Sequence, residues 1–149
     1  MIASGYLVAP EKIEDMPARI LLVEDAEADV ALVREALEQC GLDFDMQVFE
    51  DGESAVDFVE SIDRGSTLSC PDLILLDLNL PKKSGTQVLG CVRSSQACAN
   101  VPVVILTSSN SPKDRALTKE LGATEYFQKP PRLSEFMMLG PLVRRVLEG

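Results

Sequence analysis

The sequence contains no histidine among its 149 residues. This absence excludes a catalytic triad built on histidine, a histidine-ligated metal site and a phosphohistidine carrier. The four cysteines include no C-x-x-C pair and no spacing typical of a zinc site. We therefore expect Cys40, Cys70, Cys91 and Cys98 to be buried, reduced thiols of a cytoplasmic protein.

Positive charge and long apolar runs are also scarce. The chain has 14 Lys and Arg against 24 Asp and Glu, which gives a formal net charge of −10. Phosphate backbones and anionic lipids should repel such a chain, so we expect neither nucleic acid nor a membrane as its partner. No stretch reaches the roughly 20 apolar residues of a membrane span, and the first residues do not read as a signal peptide. The acidity favours a protein partner or a bound cation.

What is present fits one globular α/β domain. Hydrophobic residues make up 46% of the chain and charged residues 26%, an ordinary balance for a domain of this length. Most of the short apolar runs lack polar alternation, which is typical of parallel strands buried on both faces. The predicted strands are Arg19–Val23, Met46–Phe49, Leu73–Leu76, Val103–Leu106 and Glu125–Phe127.

Segments with helical periodicity alternate with these strands. The predicted helices are Ala26–Cys40, Glu53–Asp63, Gly85–Ser94, Pro112–Leu121 and Ser134–Leu147. Ser111 and Ser134 are candidate N-caps, and Pro141 should kink or split the last helix near Leu139. The alternation predicts a doubly wound, five-stranded parallel sheet flanked by five helices. Residues 1–18 form an arm before a domain that spans residues 19–149.

Polar residues follow the predicted strands at their carboxyl ends, where open parallel α/β sheets bind ligands. Glu24 and Asp25 follow the first strand, Asp77 follows the third, and Thr107 and Lys129 follow the last two. At an effective dielectric constant near 20, carboxylates about 4 Å apart repel by roughly 4 kcal/mol per pair. Such a cluster therefore either raises the pKa values of its carboxyl groups or recruits a cation. Oxygen ligands with room for water and a phosphate favour Mg²⁺.

Each of these residues also has a purely structural interpretation. Glu24 and Asp25 could be acids that favour the dipole of the following helix, and Thr107 and Lys129 are ordinary residues for a strand end. Asp77 is harder to explain in this way, because it closes a strand that is fully apolar. The functional interpretation depends on the ordered set, with polar groups at the ends of several strands.

In these residues the chain resembles the receiver domains of two-component signalling. The matching motifs are LLVEDAEAD, DLILLDLNLPKKSG, PVVILTSS and YFQKP, in the order typical of that family, over roughly Arg19 to Leu147. It is especially similar to stand-alone receivers paired with cyanobacterial phytochromes, which carry a DLNLPKK-type loop. The resemblance implies the flavodoxin-like receiver fold and a response regulator in phosphorelay signal transduction, with a sensor histidine kinase, here a phytochrome kinase, as its partner.

The resemblance also implies a role for each matched site residue. Asp77 would be the phosphoacceptor, and Lys129 would contact the phosphoryl oxygens and precede a cis bond to Pro130. Asp25 and Asp77 would bind Mg²⁺ directly, Glu24 would act through water, and Asn79 would offer its main-chain carbonyl.

Thr107 and Tyr126 would form the switch of such a domain. Thr107 would turn toward the phosphoryl group once it arrives, and Tyr126 would swing inward behind it. The domain would be a phosphoacceptor with slow self-dephosphorylation and not an enzyme in the usual sense. Asn79, two positions after the acceptor, would affect the lifetime of the phosphoryl group.

The output is expected to be a protein contact, because nothing follows Gly149 in this sequence. In the last predicted helix, a second apolar stripe of Met138, Leu142 and Val146 lies beside the stripe expected for the core. It suggests a homodimer through the last helix and its neighbours. The alternative is that a kinked helix buries a wider face.

Three other classes of protein share part of this pattern. A receiver fold without phosphorylation would act as a constitutive interaction module, but such versions typically lose part of the set Asp25, Asp77, Thr107 and Lys129. A haloacid-dehalogenase-type phosphatase would need an Asp-x-Asp pair. A flavodoxin-like cofactor binder would need a glycine- and hydroxyl-rich loop where this chain has Glu24 and Asp25.

Overall fold

The computed structural model describes residues 16–149 and contains one five-stranded parallel sheet. Strand order across the sheet is β2-β1-β3-β4-β5. The strands are β1 (Ala18–Val23), β2 (Phe44–Phe49), β3 (Leu73–Leu76), β4 (Val103–Thr107) and β5 (Glu125–Gln128). All five predicted strands are confirmed, most with an end shifted by one or two residues. The predicted arm lies almost wholly outside the described residues.

In the part of the chain that the structure describes, six helices connect and flank the strands. They are α1 (Glu27–Gln39), α2 (Gly52–Asp63), α3 (Gly85–Ser94), α4 (Pro112–Glu120), α5 (Leu133–Phe136) and α6 (Leu139–Glu148). Ser111 caps α4 by accepting a hydrogen bond from the Asp114 amide, with Pro112 in the first turn, as predicted. No helix in residues 16–149 is long and apolar enough to cross a membrane.

The last predicted helix is split into α5 and α6, as the proline suggested. The break falls at Met137 and Met138, and Pro141 occupies the first turn of α6, where a missing N–H costs no helical hydrogen bond. The prediction of Ser134 as an N-cap was wrong. Helix α5 begins one residue earlier, and Arg132 is in the cap position without a capping side-chain bond.

Alternate residues of each central strand enter two separate cores, because successive side chains of a strand point to opposite faces. Leu21 and Val23 pack with α2 and α3 on one face. Ile20 and Leu22 pack with α1, α5 and α6 on the other. Strand β3 is buried along its whole length. The double burial explains why its sequence is apolar without alternation.

The expectation of four reduced cysteines was wrong for two of them. Cys70 and Cys98 form a disulfide, with Cα atoms 5.7 Å apart. The loops before β3 and β4 bring them together although 28 positions separate them in sequence, and the spacing rules for cysteine motifs do not detect a pair of this kind. Cys40 and Cys91 are free, half-buried thiols.

Helix α6 lies close against α1 at Gly140. A Cβ atom at this position would lie 2.5 Å from the Ala36 carbonyl oxygen and 2.9 Å from the Cys40 Cβ. Beside this contact, the Arg144 guanidinium donates to the Cys40 carbonyl at 2.7 Å. The absence of a side chain at Gly140 therefore sets the distance between the two helices.

We predict that Gly140→Ala lowers the free energy of unfolding by about 2 kcal/mol, because the added methyl group must displace backbone atoms. Gly90→Ala is the matched control, since a Cβ there meets no atom of the described residues within 4 Å and alanine is the better helix former by up to about 1 kcal/mol. Urea unfolding of both variants under identical redox conditions checks this. Equal stabilities for the two variants would contradict the close packing at Gly140.

Candidate functional site

The carboxyl ends of β1 and β3 place three carboxylates side by side. Glu24 and Asp25 follow β1, and Asp77 follows β3. The Asp77 amide donates to the Val23 carbonyl at 3.1 Å, which extends the pairing of the two strands to this point. One oxygen from each of the three carboxylates lies within 4.8 Å of the others. The predicted cluster is therefore present.

The three carboxylates differ in their surroundings. Glu24 is 1% exposed and Asp77 is 6% exposed, whereas Asp25 is open to solvent. An open groove of about 660 Å³ begins at Glu24 and Asp25 and runs between α1 and the edge strand β2. The groove thus gives a small cation access to Glu24 from the side of Asp25.

Lys129 provides the positive charge of the pocket. Its Nζ lies 2.6 Å from Glu24 Oε1, 2.7 Å from Asp29 Oδ2 and 3.4 Å from Asp77 Oδ2. The Lys129 side chain is only 11% exposed. These contacts hold β5, β1, β3 and α1 together at one edge of the sheet.

The expected cis bond between Lys129 and Pro130 was wrong. The structure has no cis peptide bond in residues 16–149, and trans is the form that a bond before proline normally favours. The Lys129 amide donates to the Thr107 carbonyl at 2.7 Å. With this trans geometry, the Lys129 ammonium already contacts the three carboxylates.

Burial and pairing shift the pKa values of this pocket in the same direction. Burial raises the pKa of Glu24 to about 7, against the opposing effect of the hydrogen bond from Lys129. Burial disfavours the ammonium form of Lys129, but hydrogen bonds to Asp29 and Glu24 and the charge of Asp77 outweigh it and raise the pKa of Lys129. Lys129 therefore stays charged, and the pocket retains an excess of negative charge.

Asp29 is the residue of this pocket that the sequence analysis missed. It stands in the first turn of α1, four positions after Asp25. Side chains of a helix point back toward its N-terminus, which brings the Asp29 carboxylate over the end of β1. Asp29 is the last residue of the LLVEDAEAD motif. Its place in that motif was the sequence feature that could have identified it as a residue of the pocket.

Two glycines, which have no side chain, allow the backbone around the loop after β3 to pack closely. A Cβ on Gly85 would collide with the Asp77 carbonyl, and a Cβ on Gly52 would collide with the Lys83 carbonyl. The Asn79 amide donates to Asp77 Oδ1 at 3.3 Å. Gly85 is thus required where α3 begins against the backbone of Asp77 and Leu78.

Thr107 and Tyr126, the predicted switch residues, are linked through Ser109. Thr107 is fully buried at the end of β4, and its Oγ1 accepts a hydrogen bond from the Ser109 amide at 3.3 Å. The Tyr126 hydroxyl donates to the Ser109 carbonyl at 2.9 Å. The Arg115 guanidinium lies 4.3 Å from the centre of the Tyr126 ring, in a cation–π contact.

The carboxylates suit a divalent cation. All their ligand atoms are oxygens, as hard cations require, and their spacing allows one ion to contact them directly or through water. Glu24, Asp25 and Asp77 are the residues that would hold it. A bound cation would remove the mutual repulsion of these carboxylates.

The profile of the response regulator receiver domain family matches residues 20–139. Response regulator Rcp1 of Synechocystis sp. (strain PCC 6803) is 37% identical over 123 residues, which cover 83% of this chain and 84% of Rcp1. A crystal structure of the Mn²⁺-bound form of Rcp1 has a TM-score of 0.78 at 37% identity, with 89% of this chain and 96% of that chain covered.

Two further crystal structures are similar. The phosphorylated cyanobacterial phytochrome response regulator RcpA has a TM-score of 0.80 at 32% identity, with 90% of this chain and 96% of that chain covered. The receiver domain of the Pseudomonas aeruginosa sensor histidine kinase PA1611, with a magnesium ion in its active-site cleft, has a TM-score of 0.71 at 25% identity. It covers 90% of this chain and 100% of that chain.

We predict that 10 mM Mg²⁺ or Mn²⁺ stabilises the protein by about 1.4 kcal/mol if the dissociation constant is about 1 mM, and raises Tm by about 4 °C. Asp25→Asn should lose this gain, while its metal-free form should be at least as stable as the wild type because repulsion is reduced. Glu27→Gln, which removes a charge outside the cluster, should keep the gain. Calorimetric melts with and without EDTA test this, and an undiminished metal response in Asp25→Asn would contradict the assignment.

Proposed function

Because this chain belongs to the response regulator receiver domain family, we propose that it accepts a phosphoryl group from a sensor histidine kinase on Asp77. Two-component phosphorelay signalling is the process in which the family acts, and the phosphoryl group would switch the surface around Tyr126. We assign the receiver domain to residues 19–149 and an arm to residues 1–18.

The observation that carries this proposal is the position of Asp77. Its carboxylate is buried at the end of β3, 3.4 Å from the Lys129 ammonium and beside Glu24 and Asp25. The Asp77 carboxylate pairs with Lys129 and accepts from the Asn79 amide, yet it ends an apolar, fully buried strand that needs no charge for its own packing. It is, however, a suitable nucleophile for phosphoryl transfer.

In the proposed reaction, a carboxylate oxygen of Asp77 forms a bond to phosphorus. The bond from phosphorus to the donor breaks, and its electron pair leaves with the donor. Lys129 donates N–H groups to the phosphoryl oxygens, and the Thr107 hydroxyl approaches them as a further donor. Mg²⁺ is the cation we propose for Glu24, Asp25, Asp77 and the Asn79 carbonyl, where it would offset charge on the transferring group.

The proposed switch operates through the hydrogen bonds that link Ser109 to Thr107 and Tyr126. When the Thr107 hydroxyl turns toward the phosphoryl group, it gives up the bond that it now accepts from the Ser109 amide. Tyr126, which donates to the Ser109 carbonyl, follows the loop inward. The surface formed by α4 and β5 changes as a result, and a partner that binds this surface detects the change.

The proposed chemistry makes the chain a phosphoacceptor and not a turnover enzyme. The acyl phosphate on Asp77 is hydrolysed slowly by water within the same pocket. The Asn79 amide contacts Asp77 Oδ1, so the Asn79 side chain extends from a backbone position next to the phosphoryl group. Substitution of Asn79 is therefore the direct way to alter the lifetime of the phosphoryl group.

We further propose that the partner kinase is a phytochrome and that the two proteins meet in the cytoplasm. The similarity to RcpA, a cyanobacterial phytochrome response regulator, supports this choice of kinase. The net charge of −10 argues against nucleic acid and anionic membranes as partners. A phosphorylation-independent interaction module is the alternative. The presence of all four residues Asp25, Asp77, Thr107 and Lys129 argues against it.

Acetyl phosphate with Mg²⁺ should add one phosphoryl group to the wild type, and the adduct should be labile to hydroxylamine. The adduct should be absent with EDTA, which removes the cation, and in Asp77→Asn, which removes the nucleophile. Asp72→Asn, at an exposed position before β3, is the control. Intact mass measures the adduct. Labelling of Asp77→Asn, or no labelling and no beryllofluoride binding by the wild type, would favour the interaction module.

We also propose a homodimer through the last two helices. Met138, between α5 and α6, is 62% exposed, and Leu133 in α5 is 55% exposed. Leu142 and Val146 are half-buried and pack partly against the core. The second apolar stripe is therefore covered in part by the domain itself, and Met138 and Leu133 are the groups that a second copy would cover.

Met138→Arg should shift the wild-type dimer toward monomer by at least tenfold in dissociation constant, since it would bury an unpaired charge. Leu68→Arg adds the same charge at a 51% exposed loop position and should leave the dimer intact. Sedimentation equilibrium of phosphorylated and unphosphorylated protein measures both variants. A dimer unaffected by Met138→Arg, or affected equally by both, would exclude this surface.

A further inference from the structure

Asp29 is the pocket residue for which the proposed function has no role. Its Oδ2 is 2.7 Å from Lys129 Nζ, whereas Asp77 Oδ2 is 3.4 Å from the same atom. On the basis of the proposed function, we infer that Asp29 is a positioning residue. It holds the Lys129 ammonium on the α1 side of the pocket and competes for it with the phosphoryl group on Asp77.

The distances define the competition. An ammonium group has three N–H donors, and two of them are used in short bonds to Glu24 and Asp29. The third partner, Asp77, is at the long end of the hydrogen-bond range. To make its third N–H bond short, Lys129 must move its ammonium group toward Asp77, and this movement lengthens its charge-assisted bond to Asp29 on the other side.

Asp29 differs from Glu24 in its relation to the cation site. Glu24 belongs to the three carboxylates that would hold a cation, and Asp29 does not. A cation at this site would draw the Glu24 carboxylate away from Lys129. Asp29 would then be the main carboxylate left to hold the ammonium, and the competition would lie between Asp29 and the phosphoryl group.

The position of Asp29 is fixed by the packing of its helix. Helix α1 buries Val33, Ala36 and Leu37 and is locked against α6 at Gly140. The Asp29 side chain is 27% exposed, so its carboxylate is accessible without being part of the core. The position of α1 relative to β5 therefore sets the strength of the ion pair between Asp29 and Lys129.

The chain offers a matched control in Glu27. Glu27 and Asp29 are the two acids in the first turn of α1, so neutralising either one removes one negative charge from the same helix terminus. Glu27 makes no ion pair with Lys129, whose carboxylate partners among residues 16–149 are Glu24, Asp29 and Asp77. The difference between Asp29→Asn and Glu27→Gln isolates the direct contact from the effect of net charge.

The test is calorimetric titration with beryllofluoride, a stable mimic of a phosphoryl group on a carboxylate, at saturating Mg²⁺. We expect Asp29→Asn to bind beryllofluoride about fivefold more tightly than Glu27→Gln, as loss of one partly exposed ion-pair partner implies. Asp29→Glu, which restores the carboxylate, should return toward the wild-type affinity. Urea unfolding without Mg²⁺ should show Asp29→Asn to be less stable than Glu27→Gln, because only Asp29 pairs with Lys129, and both variants must be fully folded under the titration conditions.

Each other outcome has a defined meaning. Equal affinities of Asp29→Asn and Glu27→Gln would overturn the inference, because net charge alone would then explain the effect. Weaker binding by Asp29→Asn would also overturn it, because Asp29 would then hold Lys129 in its productive position. Asp29→Glu binding as tightly as Asp29→Asn would overturn the role of the carboxylate. A wild type that binds no beryllofluoride would refute the proposed function, and the inference with it.

Discussion

One ammonium group organises the functional edge of this sheet. Lys129, which follows β5, contacts carboxylates that follow β1, follow β3 and lie in the first turn of α1, so parts of the chain as far apart as residues 24 and 129 meet at one atom. Without this cation, buried acids a few ångströms apart would repel each other by several kcal/mol at an effective dielectric near 20. The geometry of the pocket therefore depends on how that single charge is shared.

Much of the fold was predictable because burial on both faces leaves a strong signal in sequence. Strand β3 reads as four consecutive apolar residues, and Ser111 followed by Pro112 marked the start of α4. The boundary of α5 was not predictable, since a four-residue helix has too few periodic positions to show a face. The pairing of Cys70 with Cys98 was missed because it depends on two loops that meet only after the sheet has formed.

The site residues that lie at the carboxyl ends of strands could be predicted from the sequence. Glu24, Asp25 and Asp77 were found because the carboxyl ends of parallel strands converge at one edge. Asp29 was not found, because it lies inside a helix, where an acid in the first turn already has an ordinary explanation in the helix dipole. Its contact with Lys129 depends on how α1 packs against the sheet, and periodicity alone does not give that packing.

The two ends of the sheet are built in different ways. At the amino ends, Arg93 donates to the carbonyls of Ala99, Val101 and Gly122, and the Cys70–Cys98 disulfide joins two loops. At the carboxyl ends, the contacts are ion pairs and hydrogen bonds that can exchange partners. The contacts that the proposed phosphoryl transfer would rearrange thus lie at the end of the sheet opposite to the disulfide. Substitutions that retune the response can accumulate at one end while the margin of stability is kept at the other.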